Sequence, residues 1–422
     1  MKVLISAYAC APNLGSDHAV GWNWATEAHR LGHEIWVLAS TAHSHSIATA
    51  CHEAPDLAGI HWVFPEVPGW PLSQGIEPKW ERTYNLLWQR KAIGLARELN
   101  HQVNFNAIHH LTWAGIRAPT FLGSLGPPLI IGPVGGGETS PQTLRDDLGA
   151  RGRMLECIRD ISNATITLNP ASRKGFRDAA VIFVSTSDTQ KLFKGSLRDK
   201  TVVFSQLGLT ELPPARLRQW SKPPKFLYAG RLLYWKGVHI ALRAFAELTN
   251  KGFDARFTIV GDGPERFRLE REAASRNLGD RVEFIPRVPQ AKLFELYDAH
   301  NLLLFPSLHD SGGFVVLEAL SRGLPVVCLD LGGPKDIVTA NSGVVVRTGG
   351  QNTEQLAVSV AVEISHLLEA PERMAELSRG ARARAREFIL SKRIAALYDY
   401  AANVIKRSKQ LNSEGDCRPR FP

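Results

Sequence analysis

Cysteine is scarce in this chain, and what there is shows no pairing pattern. The five cysteines, Cys10, Cys51, Cys157, Cys328 and Cys417, are odd in number and include no Cys-x-x-Cys spacing. That argues against a disulfide framework and a structural zinc site, and for thiols kept reduced in the cytosol. Long apolar runs are also missing. The longest uncharged stretch, Ala118 to Gly137, is broken by Pro119, Pro127, Pro128 and Pro133, so it cannot form one membrane-spanning helix. The opening MKVLISAYACAP carries one lysine and a short apolar run, which fits a first strand better than a leader peptide. No Asp-x-Asp pair occurs to offer oxygen ligands to Mg²⁺ or Mn²⁺. No Gly-x-Gly-x-x-Gly follows the first strand either; Gly15 to Gly21 has another spacing, which argues against a dinucleotide-dependent oxidoreductase.

What is present is an ordinary globular composition. At 422 residues, 44% hydrophobic and 22% charged, the chain is long enough for two domains. Its net charge of +9 is unevenly spread: from Pro371 onward there are 12 Lys and Arg against 6 Asp and Glu. The run Arg379-Gly380-Ala381-Arg382-Ala383-Arg384-Ala385-Arg386 dominates this excess and is expected to be a solvated helix face. An anionic membrane surface is a second reading. Nucleic acid ranks last, because no aromatic ladder or zinc spacing accompanies the arginines.

Strand and helix patterns alternate through both halves, which predicts an α/β chain of two doubly wound, mostly parallel sheets. In the first half, strands are expected at Val3–Tyr8, Glu34–Ser40, Gly59–Pro65, Ala107–Leu111, Pro128–Ile131 and Ala180–Ser185, with helices over Trp22–Leu31 and Trp80–Leu99. In the second, strands Lys225–Ala229, Arg256–Val260, Val282–Ile285, Asn301–Phe305 and Pro325–Cys328 alternate with helices, and helical pattern continues from Glu354 to Lys406. Pro213, Pro214, Pro223 and Pro224 bracket a linker, so the domains divide as 1–210 and 211–389, with a late helix at about 390–409 and a disordered tail at 410–422.

The most informative segment is Ser307 to Glu318, SLHDSGGFVVLE. A buried strand, a turn with Gly312 and Gly313, and a helix opening at Phe314 and Val315 place backbone N–H groups where they hold an anion. Asp310 lies in the loop, and Glu318 follows about two turns into the helix. N–H groups for phosphate and carboxylates for hydroxyls suit a phosphorylated sugar. Another strand is followed by Gly230-Arg231 and Lys236-Gly237, two cations at the strand end where open α/β sheets bind ligands. Arg231 suits bidentate phosphate contact and Lys236 acts as a point charge. Gly261-Asp262-Gly263-Pro264 ends the next strand with a tight turn.

Taken in order, Gly-Arg-x(4)-Lys-Gly, Gly-x-Gly-Pro, two acids with seven residues between, Glu-Ala and Gly-x-Pro-Val resemble glycosyltransferase family 4. The resemblance covers nearly the whole chain. Gly15-Ser16-Asp17 to Gly21-Trp22 and Gly132-Pro133-Val134-Gly135-Gly136-Gly137-Glu138 are similar to a bacterial branch of that family. It implies the GT-B fold, two Rossmann-like domains facing across a cleft, with a last helix crossing back to the first domain. It also implies transfer from a nucleotide sugar with retention and no metal cofactor. Arg231 and Lys236 would then neutralise the donor diphosphate, Glu318 would bind the ribose, and Asp310 would contact the donor sugar beside the N–H groups of Gly313 to Val315. The turn glycines Gly230, Gly261, Gly263 and Gly312 would line the donor, and Gly15 would let the first domain's backbone approach the phosphates. The family's commonest pattern has Glu at the Asp310 position, which leaves sugar identity open. A strand-end histidine is also implied; His109 and His110 are the candidates, with His109 favoured.

The acceptor belongs to the first domain. Its tryptophans, Trp22, Trp24, Trp62, Trp70, Trp80, Trp88 and Trp113, are expected to be mostly core. The basic and apolar mixture from Arg145 to Arg177 suits a membrane surface and a lipid-linked saccharide, or else a plain surface helix. The resemblance places the enzyme in the cytoplasm, at the inner membrane face, in bacterial surface-polysaccharide assembly, with a UDP- or GDP-linked donor. Three other readings stay open: another GT-B enzyme such as a sugar-nucleotide epimerase, an NAD-dependent oxidoreductase, and a sugar-nucleotide-binding protein without turnover.

Overall fold

The computed structural model describes residues 1–69, 80–166, 169–214, 218 and 220–415. Trp70 and residues 416–422 of the expected tail lie outside the described residues. The first domain begins β1 (Lys2–Ser6), α1 (Asp17–Arg30), β2 (Glu34–Leu38), α2 (Ser44–Glu53), β3 (His61–Val63) and α3 (Glu81–Val103). It continues with β4 (Ala107–His110), β5 (Leu129–Val134), α4 (Gly149–Ala164), α5 (Pro170–Asp178), β6 (Ala179–Val184), α6 (Ser187–Gln190), α7 (Ser196–Asp199) and β7 (Thr201–Val203). The second domain runs β8 (Lys225–Ala229), α8 (Val238–Asn250), β9 (Arg256–Val260), α9 (Arg266–Ser275), β10 (Val282–Ile285), α10 (Gln290–Ala299) and β11 (Leu302–Phe305). Then come α11 (Phe314–Ser321), β12 (Val326–Leu329), α12 (Gly332–Ile337), β13 (Gly343–Val346), α13 (Thr353–Glu369), α14 (Pro371–Arg386) and α15 (Leu390–Gly415).

Among the described residues the first sheet has the order β3-β2-β1-β4-β5-β6-β7 and the second β10-β9-β8-β11-β12-β13. The named strand pairs of both are parallel, with β8 at the reversal point of the second. Strands such as β11 (LLLF) and β12 (VVCL) are buried on both faces, as helix-covered parallel sheets require. α1 starts at Asp17, five residues before the expected Trp22, because the left-handed Ser16 (φ 58°) ends the preceding loop and starts the helix there. β7 (TVV) and β13 (GVVV), three and four residues long, are strands additional to those expected from the sequence.

The last helix belongs to the first domain's core. Leu390, Ile394, Leu397, Tyr398 and Ala401 lie on one stripe and are buried with Val3, Ile5 and Trp24. The helix runs on to Gly415, past the expected 409, because no glycine or proline interrupts it and propagation adds one bond per residue. Its entry is pinned to the interdomain linker: Leu209 N–H donates to the Phe388 carbonyl (2.8 Å) and Leu390 N–H to that of Leu209 (2.9 Å). The two crossings between the domains therefore lie side by side.

The arginine run is not simply a solvated face. Arg382 donates to the carbonyls of Pro213 (2.8 Å) and Ser321 (3.0 Å), and Arg384 to those of Ile337 (2.8 Å) and Asp336 (2.9 Å). These two cap orphan carbonyls and tie α14 to the second domain, while Arg379 and Arg386 stay exposed.

Leu397 is fully buried. Leu397→Ala is expected to destabilise the first domain by about 2–5 kcal/mol, the range for truncating a buried leucine. Denaturant unfolding followed by tryptophan fluorescence should show a lower midpoint. An unchanged midpoint would mean that α15 does not support that core.

Candidate functional site

The strand ends of the second domain bring its charged loops together. After β8, Tyr234–Lys236 form a single helical turn that ends in Gly237, whose φ of 66° and tight surroundings admit no side chain. An added Cβ there would lie 1.9 Å from the Pro306 carbonyl oxygen. That contact presses the lysine loop against the loop after β11. Leu308 N–H donates to the Trp235 carbonyl (2.8 Å), and the Trp235 ring stacks on His309 at 5.4 Å. Lys236 ion-pairs with Asp310, whose other oxygen accepts the Gly312 N–H at 3.1 Å. Arg231 is exposed just beyond β8.

α11 starts at Phe314 with Gly313 as an N-cap that offers no side chain, so the N–H groups of Phe314 and Val315 are left for an anion. Glu318 sits farther along, accepting from Gln290 Nε2 (2.9 Å) and the Tyr297 hydroxyl (3.1 Å). Burial pushes its carboxyl up, against those two bonds, which favour the anion. Lys236, Asp310, Gly312, Gly313, Phe314 and Val315 thus form one cluster, with Glu318 on the same helix.

The turn glycines also have packing roles. Gly261 has φ 143°, and an added Cβ would meet the Gly230 carbonyl oxygen at 1.9 Å; Gly263 would meet that of Leu232 at 2.2 Å. Both are required as glycines where the Gly230 and Gly261 loops pack together. Gly15 has open space around it, and the left-handed positions in its loop are Asn13 and Ser16.

The histidine assignment also changes. His109 is fully buried: Nε2–H donates to the Gly132 carbonyl (2.8 Å), and Nδ1 accepts from the Tyr398 hydroxyl (3.0 Å). Burial lowers its pKa to about 4, so it is a neutral structural link between β4, β5 and α15, not a cleft residue. Strand alternation turns His110 to the opposite face. It too is buried and held at about 4 by desolvation, with His109 adding to the shift, and neither ring nitrogen has a hydrogen-bond partner among the described residues.

The first domain meets this cluster through its own strand ends. Beyond β5, Gly136 N–H donates to Ser311 Oγ (3.1 Å), and Ser311 Oγ–H donates to Glu138. Glu138, 3% exposed, also accepts from Thr186 (2.6 Å) and Thr189 (2.9 Å). On the other side of Asp310, His309 Nε2 bonds Glu156 of α4 at 2.9 Å. Asp188 bridges to Lys335 (2.7 Å) and to the Gly332 N–H (3.0 Å), and Asp336 accepts from Ser187. The sequence signalled Glu138 only through its glycine-rich context; Glu156, Asp188 and Asp336 are single acids in helices and carry no local signature.

Among the tryptophans, Trp24 and Trp88 are buried, and Trp22 stacks on Trp62 at 5.5 Å. Tyr8 stands edge-on to Trp88 and Trp113, each at 5.2 Å. Trp113 holds φ 57°, unusual for a bulky side chain, just beyond the end of β4. A depression of about 660 Å³ lined by Lys225, Arg256, Arg281 and His300 lies at the opposite, N-terminal ends of β8–β10, away from these groups.

Residues 214–384 match the family model for glycosyl transferases group 1. An alpha-D-kanosaminyltransferase of Streptomyces kanamyceticus is 34% identical over 174 residues, 40% of this chain and 44% of that protein. A 2-deoxystreptamine glucosyltransferase of the same organism is 33% identical over 166 residues, 39% of this chain and 42% of that protein. The chain therefore spans less than half the length of these curated relatives. Sucrose-phosphate synthase from Thermosynechococcus elongatus superposes with a TM-score of 0.60 at 17% identity, covering 98% of this chain and 99% of that one. A lipopolysaccharide outer core galactosyltransferase gives 0.62 at 14% identity, covering 97% and 100%. The structural likenesses establish the two-domain GT-B fold, and the second domain, which holds Lys236, Asp310 and Glu318, matches the glycosyl transferases group 1 model over residues 214–384.

Proposed function

We propose that the protein is a retaining glycosyltransferase of family 4 type. It moves a hexose from a UDP- or GDP-linked sugar to a saccharide or lipid-linked saccharide, in surface-polysaccharide assembly. The observation that carries this reading is the joining of Lys236, Asp310 and the uncapped start of α11 in one cluster that the first domain touches on both sides. As the sugar–phosphate bond breaks, charge gathers on the departing diphosphate. In this reading Lys236, Arg231 and the α11 N–H groups meet that charge, and fixed donors of this kind favour the transition state over the ground state. The two cations take the part that a divalent metal plays elsewhere. Glu318, already oriented by Gln290 and Tyr297, receives ribose hydroxyls, and Asp310 receives sugar hydroxyls.

A thermal-shift comparison of UDP, GDP, ADP and NAD with EDTA present tests the donor class. A rise in melting temperature with UDP or GDP supports the reading. A rise with NAD alone would replace it with an oxidoreductase. Lys236→Ala is expected to lower nucleotide-sugar turnover by roughly 10²-fold or more, the scale of a lost electrostatic stabiliser. Undiminished turnover in the folded variant would remove Lys236 from the mechanism.

For the acceptor, the outward face of α4 favours the lipid-linked alternative at the cytoplasmic membrane face. Met154, Ile158 and Ile161 are 56%, 51% and 64% exposed on one helical stripe, beside exposed Arg151 and Arg153. Among the described residues no helix is long and apolar enough to cross a membrane. Apolar side chains with flanking arginines suit insertion at an anionic interface. Replacing all three apolar residues with serine is expected to weaken co-sedimentation with phosphatidylglycerol vesicles by roughly tenfold or more. Equal sedimentation of both forms would leave α4 as a plain surface helix.

A further inference from the structure

Glu156 belongs to the first domain, yet its carboxylate serves the second. It is fully buried on the inward side of α4. One oxygen accepts from His309 Nε2 (2.9 Å) and from the Tyr234 hydroxyl (3.0 Å); the other accepts the Ser140 N–H (2.9 Å). Arg159 approaches at 3.9 Å. The helix that presents it is itself anchored, because Arg145 grips Asp160 through two bonds and the Ser140 carbonyl through two more. One turn earlier, Gly152 faces the Tyr234 ring, where an added Cβ would lie 3.4 Å from the ring and 2.9 Å from the Leu148 Cβ. Burial alone would push the Glu156 carboxyl up, but the His309, Ser140 and Tyr234 donors outweigh it and bring the pKa to about 2. The group is therefore an ionised acceptor at neutral pH.

Its two partners from the second domain lie on the two loops that matter most. His309 adjoins Asp310, and Tyr234 stands two residues before Lys236. Trp235, between Tyr234 and Lys236, stacks on His309. One carboxylate thus fixes the spacing of both loops from outside their own domain.

We propose that Glu156 is a positioning residue that clamps the Tyr234–Lys236 and His309–Ser311 loops, so that the donor site reaches its working geometry only when the two domains meet. The inference rests on the nucleotide-sugar reading of the cleft. It assigns Glu156 no contact with substrate; its effect passes through His309 and Tyr234.

The test uses the full chain, with UDP-glucose and GDP-mannose as probes and release of the nucleoside diphosphate as the readout. Glu156→Gln and His309→Asn are each expected to raise the KM for the accepted nucleotide sugar by about five- to tenfold, and the double variant to be little worse than either single one, as for residues acting as one unit. Tyr234→Phe removes one bond and leaves the charge in place; it should raise KM about twofold, and it serves if Glu156→Gln fails to fold. Unchanged KM and kcat with only a lower melting temperature would overturn the proposal and leave Glu156 as a stabilising contact. Effects of the two substitutions that simply multiply would also overturn it. A wild-type chain that neither binds nor turns over UDP or GDP compounds would overturn the nucleotide-sugar reading itself, and the proposal with it.

Discussion

Three consecutive residues of the loop after β11 tie the candidate donor site to the junction between the domains. His309 is held by Glu156, Ser311 by Glu138 and the Gly136 N–H, and Asp310 between them turns back to Lys236. Each outer residue is gripped by a buried acid of the first domain, and the middle one is paired within the second. A buried carboxylate is costly unless its hydrogen bonds are met, so losing these contacts is unfavourable. Glu138 and Glu156 lose their interdomain donors if the domains part, and water must then replace them. The loop that would hold the donor therefore has a shape that depends on the relation of two domains, not on one.

The chain's path supports this arrangement. The backbone leaves the first domain near Leu209 and returns to it at Leu390, and the two passages are hydrogen-bonded to each other. Parallel crossings restrain the domains about one line while leaving the cleft side to the polar contacts. The returning helix then completes the first core with Leu397 and Tyr398, and Tyr398 in turn holds His109. The last helix is thus joined to the β4 strand end by packing and one hydrogen bond. First-domain residues also reach the other way: Leu144 and Leu148 are buried in the second domain's core, and Asp147 pairs with Arg243 of α8 at 2.7 Å.

Much of the fold was legible because parallel strands are short apolar runs closed by glycine or proline. β8, β9 and β10 have the bounds their patterns predict, since each is set by residues within the element itself. The first half was harder. Its strand ends carry Gly, Pro and His side by side, and its loops take their shape from partners far along the chain. The histidine choice shows the limit. His109 and His110 are equivalent in pattern, and the difference arises from Tyr398, 289 residues away, and Gly132. Gly261 and Gly263 show the same limit in another form. Their spacing shows a tight turn, but the carbonyls of Gly230 and Leu232 that exclude a side chain there come from another loop. The cluster of Lys236, Asp310 and Gly313 was visible because strand, turn and cation lie close in sequence. The acids that brace it were not, because a lone glutamate on a helix has the same pattern whether it faces water or a second domain.

The short side chain at 310 acquires a physical meaning from these contacts. Aspartate at that position has one oxygen on Lys236 and the other on the N–H of Gly312, two residues on. The second bond closes a tight local turn that suits a short acidic side chain, because its oxygen lies close to the backbone. A carboxylate placed this way orients the lysine as well as itself, and each of its oxygens keeps a second lone pair for a hydroxyl. Lys236 likewise has three N–H donors, so its pair with Asp310 leaves others for phosphate oxygens. Sugar and diphosphate recognition are then coupled through one ion pair. A shift of the His309–Ser311 loop moves the group that would meet the sugar and the cation that would meet the diphosphate together, which is why bracing that loop from across the cleft bears on both.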